Sequence, residues 1–304
     1  MSQTPLLECV PNFSEGRNER VLLAIRTAIE NVQEVKLINV HADGDHNRSV
    51  FTMLGSPAPL KEAAFQATRT AASLIDLPNH EGCHPRIGAT DVIPFIPVRN
   101  ASMQDAVNLA IDTGFRIATE LSIPVYLYGQ ATRNPFHRKL VNLRRGGYEN
   151  LQYRIDTEPD MLPDFGPVQV GTAGATVVGA RDYLIAFNVF LKSDDLALSK
   201  QIAKQVRESS GGLPGVQALG MIVKNMAQVS MNLTDFKKTS LMTLFEAVKT
   251  AAEQHNTAVN YSELVGCLPQ AAIENIDVET LQLIDFSPDR ILETHFPTFD
   301  CVNG

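Results

Sequence analysis

Residues 79–98, Asn79-His80-Glu81-Gly82-Cys83-His84-Pro85-Arg86-Ile87-Gly88-Ala89-Thr90-Asp91-Val92-Ile93-Pro94-Phe95-Ile96-Pro97-Val98, organise the chain. Gly82, Pro85 and Gly88 forbid a steady helix over the first half, which therefore reads as a loop. The second half, residues 92–98, is a short apolar run bracketed by prolines and reads as a buried strand. The loop delivers two imidazoles and a guanidinium to the entrance of that strand, a common way to hold a reaction centre on a rigid element. A tight turn with surface histidines is the competing reading.

Upstream, residues 6–13 read as a first strand, closed by Pro11 and the Ser14-Glu15-Gly16 turn. Over 17–31, Val21, Leu22, Ile25, Ala28 and Ile29 recur at helical spacing and make one apolar face. Residues 35–41 and 48–54 read as strands joined by Ala42-Asp43-Gly44-Asp45-His46-Asn47, a polar link of hairpin length. Ser56 and Pro57 open a helix expected to run to Asp76. Downstream, Ser102 and Asp105 have capping-box spacing, and 124–128 reads as a strand. Residues 133–154 are basic and helical in part, whereas 157–175 hold too many Pro and Gly breakers for regular structure.

The order then recurs as strand 183–191, helix 193–208, strands 216–224 and 228–233, helix 239–254 and strand 261–266. Both halves run β-α-β-β-α-β, with no residue-level repeat. The expected class is α+β: two ferredoxin-like subdomains, 1–179 and 180–304, whose sheets face each other across a ligand cleft.

The totals fit a folded globular protein. Apolar residues make up 44% of 304, enough for a real core. A net charge of −8 argues against general nucleic-acid binding, which rests on neutralising phosphates. Cys9, Cys83, Cys267 and Cys301 form no CxxC pair, so neither a zinc cluster nor a disulfide framework is expected. The first residues lack a signal-peptide pattern, and no apolar run is long enough to span a membrane. A cytoplasmic setting is the expectation.

His80, Glu81 and His84 imitate a metal-binding HExxH, but Gly82 and Pro85 spoil the helix that motif needs. His41, Asp43, Asp45 and His46 would add zinc or manganese ligands only if the loops converge; solvated acidic side chains are the plainer account, and no metal is expected. As a proton carrier near neutrality a single imidazole suffices, and His84 is favoured because Pro85 fixes its exit. Arg86 can fork onto a carboxylate or make a surface ion pair. The cations of 133–154 suit either a polyanionic tail or a solvated helix face. Gln228, Ser230 and Asn232 alternate onto one sheet face, where they would orient a heterocycle or be wet. The glycines of 157–175 permit close ligand approach, yet match neither a dinucleotide fingerprint nor a P-loop; a linker is the alternative.

Several long runs in order carry a more specific signal. They include Leu7-Glu8-Cys9-Val10-Pro11-Asn12-Phe13-Ser14-Glu15-Gly16, Asp45-His46-Asn47-Arg48-Ser49-Val50, His84-Pro85-Arg86-Ile87-Gly88-Ala89-Thr90-Asp91-Val92 and Pro163-Asp164-Phe165-Gly166-Pro167. In the second half, Gly174-Ala175-Thr176-Val177-Val178-Gly179-Ala180-Arg181, Gln228-Val229-Ser230-Met231-Asn232-Leu233 and Glu263-Leu264-Val265-Gly266 continue them. On these residues the chain resembles the glutamate formimidoyltransferase (formiminotransferase) family. The resemblance implies transfer of a formimino group from N-formimino-L-glutamate to N5 of tetrahydrofolate, a co-substrate. It implies a catalytic His84, and a folate loop at Gly166, Pro167, Val168, Gln169, Val170, Gly171, Thr172, Ala173 and Gly174. Asp43 or Asp45 would meet the amidinium, Arg48 or Arg86 the donor carboxylates, and the 133–154 cations a folate glutamate tail. A homodimer, and a stand-alone form without the cyclodeaminase domain, are further expectations. His41 stands where the family usually carries an aspartate. Formyl exchange between glutamate and folate, a non-catalytic folate-binding homologue and a metal-dependent hydrolase are the rival readings.

Overall fold

The structure is a computed structural model and describes residues 4–300. The chain splits into two compact units, Met1–Asp182 and Tyr183–Gly304. The class is α+β: among the described residues each unit has its own sheet with helices against it.

In the first unit, β1 (Leu6–Cys9) and β2 (Asn12–Phe13) are two pieces of one strand, interrupted at Val10-Pro11. Both pieces pair antiparallel with β4 (Arg48–Gly55) and β5 (Thr90–Arg99), and β3 (Val35–Asp43) lies beyond β4. Helices α1 (Glu19–Glu30), α2 (Pro57–Leu74) and α3 (Met103–Leu121) bury their apolar faces against this sheet. Asn18 caps α1, and Ser102 with Asp105 forms the full capping box, each satisfying amides the first turn leaves open. Phe13 and Phe51 meet edge to face at 5.3 Å in this core, an arrangement that adds about 0.5–1.5 kcal/mol to area burial.

Beyond β5 the sheet continues with parallel strands β7 (Thr176–Ala180) and then β6 (Val125–Gly129). The reading of the sequence has no strand at 176–180. That segment is five residues long and wholly buried, with no alternation to reveal it. Short helices α4 (Leu140–Arg144) and α5 (Leu151–Thr157) cover this end through Leu143, Leu151 and Ile155, and Tyr126 donates its hydroxyl to Met161 O at 2.7 Å.

The second unit runs β8 (Ile185–Leu191), α6 (Leu196–Val206), β9 (Val216–Val223), β10 (Met226–Leu233), α7 (Leu241–Gln254) and β11 (Val259–Val265). Its antiparallel sheet has the order β11-β8-β10-β9, and one face packs on α6 and α7. Among the described residues no helix is long and apolar enough to cross a membrane.

Candidate functional site

Two segments of the first unit, the β3–β4 turn and residues 173–175, fix the loop that carries His84. At the tip of the β3–β4 hairpin, Asp43 Oδ1 accepts from the amides of Asp45 (2.9 Å) and His46 (2.8 Å), folding the turn. Asn47 then bridges outward: Oδ1 accepts from Gly16 N at 3.0 Å and Nδ2 donates to Glu81 O at 2.9 Å. Gly82 lies so close to this turn that a Cβ would stand 2.3 Å from His46 O. The other end of the loop is held by residues 173–175. Ala175 N donates to Ile87 O (2.9 Å) and Ala89 N to Ala173 O (2.8 Å), and a Cβ on Gly88 would meet Ala175 O at 2.0 Å. The irregular 166–174 segment thus ends stapled to the residues that follow His84.

Inside this frame lies a charged cluster. Asp91, on β5, is buried; its Oδ1 accepts from Ile87 N at 2.8 Å. Its Oδ2 faces two guanidiniums. Arg144, from α4, donates through Nε at 2.9 Å and through Nη2, and Arg48 Nη1 stands 3.5 Å away. Arg48, at the start of β4, also donates twice to Asn12 Oδ1 and lies against His84, its Nη1 2.7 Å from Nδ1. The His84 ring is half-buried, 5.9 Å centroid to centroid from His46.

Two arginines against one carboxylate leave an excess positive charge, and the neighbouring groups respond. Burial, then the charges of Arg48 and Arg144, drive His84 well below the usual histidine value, so its imidazole is neutral at physiological pH. Burial and Arg144 pull Arg48 down to about 9, which still leaves it a cation there. A cavity of about 530 Å³ opens beside the cluster, lined by His84, Arg86, Arg144, Arg145, Phe136 and Val141 among others. That volume suits a small metabolite.

Arg86 sits on the same loop but is otherwise engaged. It holds Glu149 through Nη1 (3.0 Å) and Nη2 (2.7 Å), and His80 through its Nδ1 and its carbonyl, both at 2.8 Å. His80 Nε2 donates to Asn47 O at 3.0 Å, so both of its nitrogens serve the loop. Asp43 is buried in the turn, Asp45 is exposed, and His41 is half-buried on β3 opposite Val50. Among the described residues no three His, Cys, Asp or Glu side chains converge as a metal site would require. Gly166–Ala173 lie at the surface or half-buried, and Gly174 is buried with φ +70° against Ile87 O.

The basic segment divides. Arg154 is buried and donates to the carbonyls of Asn142, Leu143 and Arg145, which makes it a brace for α4. Arg145 is exposed and pairs with Glu158. Arg144 reaches the site, a role its place in a run of surface cations concealed. In the second unit Gln228 is fully buried and neither amide atom has a partner among the described residues, while Ser230 and Asn232 are half-buried.

A neutral imidazole, surplus guanidinium charge and a small cavity are the parts that acid–base chemistry on an anionic metabolite would need. Residues 6–181 match the Formiminotransferase domain, N-terminal subdomain, and residues 186–278 match the Formiminotransferase domain. The chain belongs to the formiminotransferase family. It is 43% identical to a glutamate formimidoyltransferase of Thermoplasma acidophilum over 95% of this chain and 96% of that one. A Streptococcus pyogenes glutamate formimidoyltransferase is 39% identical, over 95% and 98% of the two chains. The mouse formimidoyltransferase-cyclodeaminase is 45% identical over 90% of this chain, which spans 51% of its length.

Proposed function

We propose that this protein transfers the formimino group of N-formimino-L-glutamate to N5 of tetrahydrofolate and releases L-glutamate, with His84 moving the proton. The observation that carries the reading is the neutral His84 imidazole, held by Arg48 beside a cavity with uncompensated positive charge. The attacking nitrogen loses a proton as it bonds to the amidine carbon, and the departing glutamate nitrogen gains one. A single base with a depressed pKa accepts the first proton and, as an imidazolium, gives it up readily to the second.

The donor is a dicarboxylate, and Arg48 and Arg144 are the guanidiniums whose charge Asp91 leaves partly unmet. Arg86 holds the loop in register through Glu149 and His80. Residues 166–174 are read as the folate loop, and their junction with residues 87–89 is what would carry folate contact to the His84 loop. Arg145, exposed at the cavity wall, suits the glutamate tail of a folate. The strand orders β3-β4-β1/β2-β5 and β11-β8-β10-β9 support a ferredoxin-like reading of both units, the first extended by β7 and β6.

The test is product analysis with purified protein, N-formimino-L-glutamate and tetrahydrofolate. Formation of 5-formiminotetrahydrofolate with equal release of glutamate is expected. Folate binding without glutamate release, or transfer from N-formyl-L-glutamate alone, would overturn the reading.

A further inference from the structure

Arg48 meets the face of the His84 ring, not its rim. Its Nη1 lies 2.7 Å from Nδ1 and 3.2 Å from Nε2. An atom that near both nitrogens cannot stand in the ring plane, where Cε1 lies between them. Nδ1 also has Pro85 O at 2.8 Å, and a carbonyl only accepts, so Nδ1 carries the proton of the neutral ring. The lone pair is then on Nε2, and the cation above the ring leaves its in-plane direction open. A cation so placed penalises the imidazolium and keeps the ring a free base.

Asn12, buried at the start of β2, aims that cation. Its Oδ1 accepts from Arg48 Nε at 3.0 Å and from Nη2, which uses both lone pairs of the oxygen. Its Nδ2 donates to Val10 O at 2.7 Å, so the amide is fixed with its oxygen toward the arginine. A guanidinium commonly offers such an edge to a carboxylate; here it meets an uncharged group. Asp91 stands 3.5 Å from Nη1 and is held more closely by Arg144. The groups facing His84 are therefore Arg48 from β4, Arg144 from α4 and His46 from the β3–β4 turn, with Asp91 of β5 behind the arginines. On its own loop, Arg86 is paired with Glu149.

We propose that Asn12 is a positioning residue that aims the Arg48 guanidinium over the His84 ring without neutralising it, which keeps Nε2 free to take the proton of the reaction. This deepens the transfer reading above and rests on it. Nε2 takes the N5 proton as the N5–carbon bond forms. It returns that proton to the glutamate nitrogen as the old C–N bond breaks, so charge and protons balance over the cycle. A carboxylate at position 12 would hold Arg48 in the same place and cancel its charge. A side chain with no acceptor would leave Arg48 to its remaining anion, Asp91. Either change removes the cation's influence on the ring, the first through charge and the second through position.

The experiment is an NMR titration of the His84 ring in full-length protein labelled at histidine, beside pH profiles of kcat/KM for formimino transfer. In wild type the ring should show the Nδ1–H tautomer and a midpoint well below about 6.5. Asn12→Asp should raise that midpoint by roughly one pH unit or more, the size of effect a nearby opposite charge produces. Asn12→Ala, which sets no oxygen against Val10 O and serves if the first variant does not fold, should raise it as well. In both variants a low-pH limb should enter the neutral range of the kcat/KM profile. An amide that only satisfies Val10 O would change urea unfolding and leave midpoint and limb in place; that result in either folded variant overturns the proposal. A wild-type midpoint near 6.5 or an Nε2–H tautomer also overturns it, and this arm needs no variant to fold. Absence of formimino transfer in wild type would instead refute the transfer reading, since the midpoints are measured without substrate.

Discussion

Two arginine–carboxylate groups lie along the loop that carries His84, built from the same residue types and doing different things. At Arg86 one guanidinium meets one carboxylate, Glu149, and the remaining donors go to His80. Charge and hydrogen bonds are both matched, and Glu149 is 60% exposed. At Asp91 two guanidiniums share one carboxylate whose side chain is 2% exposed. The first group has its charge met and braces the loop; the second carries surplus charge in a poorly solvated place and gains from an anion. Charge count and burial, not residue identity, separate scaffold from site here.

The largest expected effect tests that separation at the two histidines. His84→Ala should lower kcat on the order of 10²- to 10⁴-fold, the usual worth of a general acid–base group. His80→Gln, which keeps the loop bonds within reach of an amide, should change kcat far less. Steady-state kinetics on both variants decides the matter, and equal losses would break the distinction. Because the His84 pKa lies well below about 6.5, its neutral form dominates through neutrality. The wild-type kcat/KM profile should therefore show no limb from this group near neutral pH.

Asp91→Asn comes next. It leaves two guanidiniums facing each other without their carboxylate, and breaking a buried pair in this way costs about 3–5 kcal/mol. Urea unfolding should register that loss. A change under about 1 kcal/mol would show that the arginines find other partners and that the surplus charge is not confined.

A third imidazole sharpens the contrast by shifting the other way. Burial opposes charge on His137, but the Asp164 carboxylate, 3.3 Å from Nδ1, and the Asp160 carbonyl, 2.6 Å from Nε2, outweigh it and raise the pKa. A folded value above the unfolded value of about 6.5 stabilises the protein fully below that pH, and the benefit fades as pH rises through the folded value. The stability difference between wild type and His137→Gln should accordingly be larger near pH 5.5 than near pH 8. A difference independent of pH would mean that folding does not raise the His137 pKa.

The sequence made the frame legible and hid the charge balance. Strands at 35–43 and 48–55 and helices after Ser56 and Ser102 follow from alternation, caps and helical spacing, which are local signals. Strand β7 escaped because a short, wholly buried parallel strand has no polar face. His84 could be singled out from Pro85 and its glycines, whereas Arg144 looked like one of several cations in a basic run. Its partner Asp91 is 53 residues distant, and no local pattern links them. The same blindness made Arg86 the natural candidate for a substrate carboxylate. Glu149, which takes its fork, is 63 residues away.

Glu149→Gln gives the smallest effect and the cleanest view of the brace. The Arg86 fork and proximity to His80 hold the Glu149 carboxyl below its ordinary value, against the opposing pull of partial burial. A pair whose carboxylate is this exposed contributes about 0–1 kcal/mol, since water screens the attraction and the long side chains lose freedom. The glutamine keeps one acceptor for Arg86, and His80 still takes the Nε and Nη2 donors. Denaturant unfolding should thus move by less than about 1 kcal/mol, and kcat should stay within a few-fold of wild type. A loss of kcat comparable to that of His84→Ala would place Arg86 in the reacting site after all, and the charge-matched group could no longer be called scaffold.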